Sequence, residues 1–246
     1  MKLHALINVY NDHVMLPIAL ASVKQHVDDI IVADGSYELY YREYRKHQPK
    51  AKPWSTDGTL QMLQYIPDLP PIKLIECPDA KPWLNQCVKR TALLNEVPEG
   101  DWFIILDSDE MLFGKVETGL HKIMASGCIA GQVPLYNPGL DASMMKPFWH
   151  PRVFLKIDGM HYFRKHWLLR DYAGRVIEVD YPVTWTDSFV IAHLKAFKEE
   201  GRATPHYGYM EMMSEAGWIE PHSAPFTLSP VRRELFSPVK RKVLDF

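Results

Sequence analysis

The chain has 246 residues, 47% of them hydrophobic and 24% charged, with a formal net charge of −2. That is enough chain for one large α/β domain with a modest extension, and the near-neutral balance argues against nucleic acid as a main partner. Cys77, Cys87 and Cys128 form neither a CxxC pair nor an even disulfide set, and no apolar run approaches the roughly 20 residues of a membrane span, so the expectation is a cytoplasmic protein without a transmembrane segment.

In chain order, LHALINV (3–9) has the continuous apolar character of a buried strand. Asn11 or Asp12 can cap a helix over about 13–26, with Pro17 tolerated near its first turn and Leu16, Leu20, Val23 and Val27 on one face. DDIIVAD (28–34) is a second short strand, ending on an acid. A helix capped by Ser55 or Thr56 carries Leu60, Leu63 and Ile66, and IKLIECP (72–78) is a third strand. A helix through Trp83–Leu94 leads to a fourth, DWFIILD (101–107). Apolar strands separated by helices predict an α/β fold with a mostly parallel sheet flanked by helices, whose ligands bind at the carboxyl ends of the strands.

The second half changes character. VETGLHKIMAS (116–126) reads as a helix, and CIAGQVPLY (128–136), HPRVFLKI (150–157), RVIEVDY (175–181) and SFVIAHL (188–194) read as strands. Helical periodicity from about Ala203 to Ala216 gives way to a proline-rich, basic tail. The pattern divides into 1–112, a mixed β/α segment 113–200 and an extension 201–246.

FIILDSDEM (103–111) is the sharpest feature. Asp107 ends a buried strand, and in extended backbone Asp109 points the same way. Two carboxylates at one sheet edge repel unless a cation sits between them, and hard oxygen ligands suit Mg²⁺ or Mn²⁺ shared with a phosphate group. Asp34 also ends a buried strand and can accept from a ribose hydroxyl or a base N–H.

INVYND (7–12), DDIIVADGS (28–36), STDGT (55–59), Asn85 with Lys89 and Arg90, and DWFIILDSDEM (101–111) together resemble a family-2-type glycosyltransferase of the Rossmann-like GT-A fold, in order and spacing over residues 3 to about 112. The resemblance implies a metal-dependent transferase that takes its sugar from a nucleoside-diphosphate sugar, with a uridine nucleotide as the default. It makes 1–112 the nucleotide-sugar half, 113–200 the acceptor side, and Asn8, Tyr10, Asn11, Asp34, Asp57, Arg90 and Asp107 the donor-binding residues. Asp107 and Asp109 become metal ligands, completed by the late His193 of FVIAH. HPRVF, HYFRKHWLL and FVIAHLK are similar to a subgroup that includes lipopolysaccharide-core and peptide-modifying transferases. The subgroup's His-Glu falls on His166-Trp167, so its glutamate is missing, and the base is sought among His161, His166, Asp171 and Asp187, with Asp171 and His166 preferred. Arg152 and Trp149 are placed on the acceptor side. The acceptor is open among glycan, lipid-linked, protein and nucleobase classes, as is a homodimer.

The family's loop DGSTDGT is split here by residues 37–54. Tyr37, Tyr40, Tyr41 and Tyr44 fall at i, i+3, i+4 and i+7, a helical stripe, accompanied by Arg42, Arg45, Lys46, Lys50 and Lys52. The stripe reads either as a helix packed on the domain or as an acceptor platform, with aromatic faces for sugar rings and bases for acidic groups. Two rival functions stand beside the transferase: a protein that holds a nucleotide sugar without transferring it, and a haloacid-dehalogenase-type phosphatase using DSDEM, although Met111 replaces that motif's Thr or Val.

Overall fold

The computed structural model describes residues 1–137, 147–163 and 165–194. Its elements run β1 (Leu3–Val9), α1 (Leu16–Val23), β2 (Asp29–Asp34), α2 (Glu38–His47), α3 (Thr59–Met62), β3 (Ile72–Ile75), α4 (Gln86–Asn95), β4 (Trp102–Asp107), β5 (Glu110–Gly114) and α5 (Val116–Met124). Then come β6 (Ala130–Tyr136), β7 (Phe148–Leu155), β8 (His161–Phe163), β9 (Lys165–Arg170), α6 (Ile177–Asp180), β10 (Val183–Trp185) and β11 (Phe189–His193). The expected helix from Ala203 and the basic tail lie outside the described residues.

One sheet carries the fold, in the order β3-β2-β1-β4-β7-β6-β11-β5, with β10 beside β6. The first four strands are parallel, and β7 and β5 run against their neighbours. This is the expected α/β, Rossmann-like architecture, consistent with a GT-A fold. Every residue of β1 is buried, because helices cover both faces. Leu16, Leu20 and Val23 of α1 and Leu120 and Ile123 of α5 pack on Ala5, Ile7 and Ile104. Leu93 and Leu94 of α4 pack on the opposite face, against Leu6, Ile31, Phe103 and Phe154.

The first three strands step outward as β1, β2, β3, whereas β4 returns to the free side of β1. The order therefore reverses between β1 and β4, which leaves a crevice outside their carboxyl ends. At that edge Asn8 stands beside Asp107 in the ladder. At the opposite edge buried His4 lies between two acids. Its Nδ1 meets Asp29 and its Nε2 is 3.2 Å from Asp101, whose other oxygen accepts from the Lys2 N–H at 2.8 Å.

Three segments depart from the sequence reading. Neither Asn11 nor Asp12 caps α1, which begins after Met15 without a side-chain cap. Asn11 sits in the left-handed region (φ 47°), and its Oδ1 accepts from the Thr56 N–H at 2.8 Å, so its capping group is spent across the loop. Ser55 and Thr56 do not cap α3 either: the helix enters through Gly58 (φ 92°), while Ser55 turns to Asp34. RVIEVDY is not a strand. Asp180 accepts from the Val176 N–H at 2.6 Å, and this local carboxylate–backbone bond favours the short turn α6 over an extended run. Ile177 turns into the core, whereas Val179 is 77% exposed.

His4→Ala should destabilise the protein by about 2 kcal/mol in urea denaturation with an unchanged m-value, because it strands two partly buried carboxylates that tie the starts of β2 and β4 to β1.

Candidate functional site

The crevice between β1 and β4 is lined by charge. Arg90, the fifth residue of α4 and 4% exposed, donates from Nη2 to Asp107 Oδ1 at 2.5 Å. Burial works against the Arg90 charge, but Asp107 beside it and Tyr162, Tyr37 and Glu110 nearby together outweigh burial and raise the guanidinium pKa. Asn8, next to Asp107 in the ladder, is buried, and among the described residues neither its Nδ2 nor its Oδ1 has a hydrogen-bond partner. The Nε of Arg90 is likewise buried and unpaired. Such orphaned polar atoms are uncommon inside a native fold and mark a place where something else supplies the bonds.

After Asp107 the chain does not continue extended, as the spacing argument assumed. It turns at Ser108 and Asp109 and starts β5. Ser108 donates its hydroxyl to Asp12 at 2.6 Å and its N–H to the Asn8 carbonyl at 3.0 Å, which locks the turn to the β1 end. Asp109 is carried towards β11, where its Oδ2 lies 3.3 Å from His193 Nε2. The antiparallel pairing of β5 with β11 sets His193 opposite Glu110 and produces this meeting. Glu110 closes the turn from beneath. One of its oxygens accepts from the Asp107 N–H at 2.9 Å and the other from Arg152 Nη2 at 2.6 Å. Burial raises the Glu110 pKa, aided by Asp107, and Arg152 works in the other direction. His150, two residues before Arg152, is pushed down to about 4 by burial and by that guanidinium, so its imidazole is neutral at pH 7.

The wall beyond β1 is the split loop, and its halves meet. Ser55 donates its N–H to Asp34 Oδ2 at 2.9 Å and its hydroxyl to Oδ1 at 2.5 Å, while its Oγ accepts from the Asn11 N–H at 2.7 Å. Residues 37–54 are thus looped out without breaking the DGS–STDGT junction. Gly35 (φ 108°) has no room for a Cβ, which would lie 3.0 Å from Cys77 Cβ and 3.1 Å from Trp83 Nε1. Beneath it Lys89, 1% exposed, donates to the carbonyls of Val9 at 2.8 Å and Gly35 at 2.6 Å, clipping the ends of β1 and β2 together. Burial pushes its pKa down to about 7.

The insert helix α2 is packed rather than open. Tyr40 and Tyr44 stack at 5.8 Å, and the Tyr10 ring meets both edge-on. The Tyr10 hydroxyl donates to the Lys52 carbonyl at 2.7 Å. Asp57 serves the neighbouring loop: burial opposes its charge, but hydrogen bonds from Thr59 and His13 outweigh that and lower its pKa.

The residues sought as base fare differently. Asp171 ends β9 at the foot of the β8–β9 hairpin, where Arg170 pairs with His161. Tyr181 and Arg175 enclose its carboxylate, at 2.6 and 2.7 Å, and hold it at about 2, too acidic to take a hydroxyl proton near neutrality. Asp187 precedes β11, whose other end carries His193, and is exposed. His161 hydrogen-bonds the Gly159 carbonyl at 2.9 Å. His166 lies in β9, and its side chain falls outside the described ones. Arg152 joins the Asp107–Glu110 cluster, whereas Trp149 packs edge-on against Trp185 at 5.5 Å. Sequence reasoning missed Glu110 as the brace of the turn and Lys89 as a strap. The acid after DSD was legible, but its partner Arg152 is 42 residues away.

No family model matches the chain, and no curated protein matches it in sequence. Among solved structures it is similar to S. aureus TarS. The likeness to TarS residues 1–349 has 15% identity and a TM-score of 0.43, covering 56% of this chain and 36% of that one. Against a longer TarS structure the TM-score is 0.41, and this chain spans 22% of that length. A 4-diphosphocytidyl-2C-methyl-D-erythritol synthase from Anaerococcus prevotii matches at 10% identity and a TM-score of 0.31, over 62% of this chain and 69% of that one. Likenesses this remote decide neither activity nor substrate; the α/β architecture stands on the sheet itself.

Lys89 yields a pH signature. Its folded pKa, about 7, lies below the value of about 10.4 expected when unfolded, so between these the unfolded chain binds the extra proton. The stability of the wild type relative to Lys89→Met should therefore rise as pH goes from about 7 to about 10 and be flat below 7, read by urea denaturation across that range.

Proposed function

We propose that this protein is a metal-dependent glycosyltransferase that takes a nucleoside-diphosphate sugar, with a uridine nucleotide the first expectation, into the crevice between β1 and β4. The observation that carries the reading is the meeting of Asp109 with His193, across the turn from the Asp107 that pairs with Arg90 at the end of β4. A carboxylate oxygen and an imidazole nitrogen 3.3 Å apart are spaced as two ligands of one Mn²⁺ or Mg²⁺ can be, and the mixed donor set suits Mn²⁺. Among the described residues no three acids, histidines or cysteines converge as a ready-made cage. That fits an ion whose remaining positions are filled by phosphate oxygens and water, with Asp107 (carboxylate 30% exposed) close by on the same turn. Such an ion, when bound, neutralises the diphosphate leaving group as a Lewis acid.

The chain's own groups supply the rest. Arg90 presents a buried positive charge to the diphosphate, and its unpaired Nε is free to donate. The orphaned Asn8 amide has both a donor and an acceptor to offer the donor substrate. Asp34, although engaged by Ser55, keeps accepting capacity for a ribose hydroxyl or base N–H, since each carboxylate oxygen takes more than one bond. Glu110 and Arg152 hold the turn that carries Asp107 and Asp109. With Asp171 enclosed by Tyr181 and Arg175, the two histidines, His161 and His166, are the stronger of the residues sought as base.

The enclosure of Asp171 also favours a second reading, a protein that binds a nucleotide sugar without transferring it. Release of free nucleoside diphosphate from any sugar donor separates the two.

Thermal unfolding with UDP, GDP, CDP and dTDP and their common sugars, with and without Mn²⁺, tests the site. One nucleotide should raise the melting temperature by several degrees, as about 2.7 kcal/mol at 100 times Kd implies, and only with Mn²⁺. Asp109→Ala should fold and lose that shift; if it binds metal and nucleotide like wild type, the site is misplaced.

A further inference from the structure

The insert 37–54 holds five bases and two acids, a charge of +3 in a chain whose total is −2. On α2 the two residue types separate. Tyr37, Tyr40, Tyr41 and Tyr44 lie on one flank and are half-buried, whereas Arg42, Arg45 and Lys46, at i, i+3 and i+4, lie on the other and are exposed. The Tyr10–Tyr40–Tyr44 cluster therefore fixes the helix by its aromatic side and leaves the basic side in water. Lys50 and Lys52, also exposed, follow on the segment that returns to Ser55, in which the Ala51 and Lys52 carbonyls accept from the Tyr41 and Tyr10 hydroxyls. Lys46 pairs with Glu43 at 2.6 Å, while Arg45, Lys50 and Lys52 meet no carboxylate among the described residues. Lys52 Nζ stands 5.9 Å from the Trp54 ring, so a cation and an aromatic face adjoin where the insert rejoins the crevice wall.

From this arrangement we infer that the insert is the acceptor-binding rim of the enzyme and that the acceptor is an anionic glycan, bearing phosphate or carboxylate groups along its length. The inference rests on the transferase reading for the word acceptor, but the surface and its ligand chemistry are tested independently of turnover. A merely solvated helix needs neither an anchor of three rings nor five exposed cations within eleven residues. The ten residues of α2 span about 15 Å at 1.5 Å per residue, so the surface suits a short run of sugars rather than a single group. An anionic chain gains from each cation it passes, and sugar rings gain from the Trp54 face. A free nucleic acid shares the charge, but the half-buried tyrosines are packed on one another and leave no row of open rings for base stacking.

The test measures binding by fluorescence anisotropy at low and moderate salt. The probes are two labelled anionic glycans, one carboxylated (oligogalacturonate) and one phosphorylated (a maltooligosaccharide phosphate). A neutral maltooligosaccharide, a single-stranded oligonucleotide and anionic phosphatidylglycerol vesicles are the controls. At least one anionic glycan should bind, weaken as salt rises, and bind about tenfold more weakly to the variant R45Q/K46Q/K50Q/K52Q. The same charge loss at exposed Lys2, Lys73, Lys115 and Lys122 should change it little. No anionic-glycan binding, equal binding by the insert variant, equal binding of the neutral sugar, or tighter binding of oligonucleotide or vesicles would each overturn the inference. The nucleotide thermal shift of R45Q/K46Q/K50Q/K52Q should match wild type. Loss of donor binding in wild type would sink the transferase reading while leaving the glycan surface standing, and the reverse pattern would do the opposite.

Discussion

The parallel pairing of β1 with β4 is the constraint on which the rest of this molecule hangs. β1 is buried along its whole length and bonded on both sides, so its end is the most rigidly placed point on the sheet edge. Because β4 enters on the side of β1 away from β2, the connecting helices α1 and α4 pass over opposite faces and part at that edge. The gap between them cannot be filled by either helix. What stands there is polar: Asn8, Asp107 and Arg90.

Charge in such a place is costly to desolvate, by several kcal/mol per ion, and is kept only where it is paired or used. The site meets that condition with linked pairs: Arg90 with Asp107, Arg152 with Glu110, and the Glu110 carboxylate with the Asp107 backbone. Each link also sets direction. Glu110 and Ser108 between them fix the turn that sends Asp109 away from Asp107 and towards His193. Among the buried atoms left without a partner by the described residues, the Asn8 amide and the Nε of Arg90 flank Asp107 at the β1–β4 edge, the Nε of Arg152 lies beside Glu110, and others lie elsewhere, at Arg170 and Glu178. Orphaned atoms of this kind are uncommon inside a native fold.

The insert follows the same logic at the rim. An interruption between Ser36 and Ser55 is tolerated because Ser55 still reaches Asp34 and the Ser36 N–H still finds the Pro53 carbonyl at 2.8 Å. The entropy of closing so short an excursion is modest, and the tyrosine cluster orders it further. The wall of the crevice is therefore continuous from Asp34 to Ser55, and the surface beside it carries a basic flank.

The sequence alone determined the first four strands and that they run parallel, because continuous apolar runs separated by amphipathic helices admit few other arrangements. LHALINV falls on β1 residue for residue, and Asp34 and Asp107 end their strands as read. It also carried the helical stripe of the insert and placed His193 at a strand end. Tertiary structure alone decided where polar side chains spend their hydrogen bonds. Asn11 and Ser55 looked like helix caps and became cross-loop links, since their partners lie more than 40 residues and 20 residues away. Asp171 was an acid of the right kind, but only the hairpin direction settles that it is enclosed by Arg175 and Tyr181. Periodicity reports which face a residue shows; it carries no information about which distant group that face will meet.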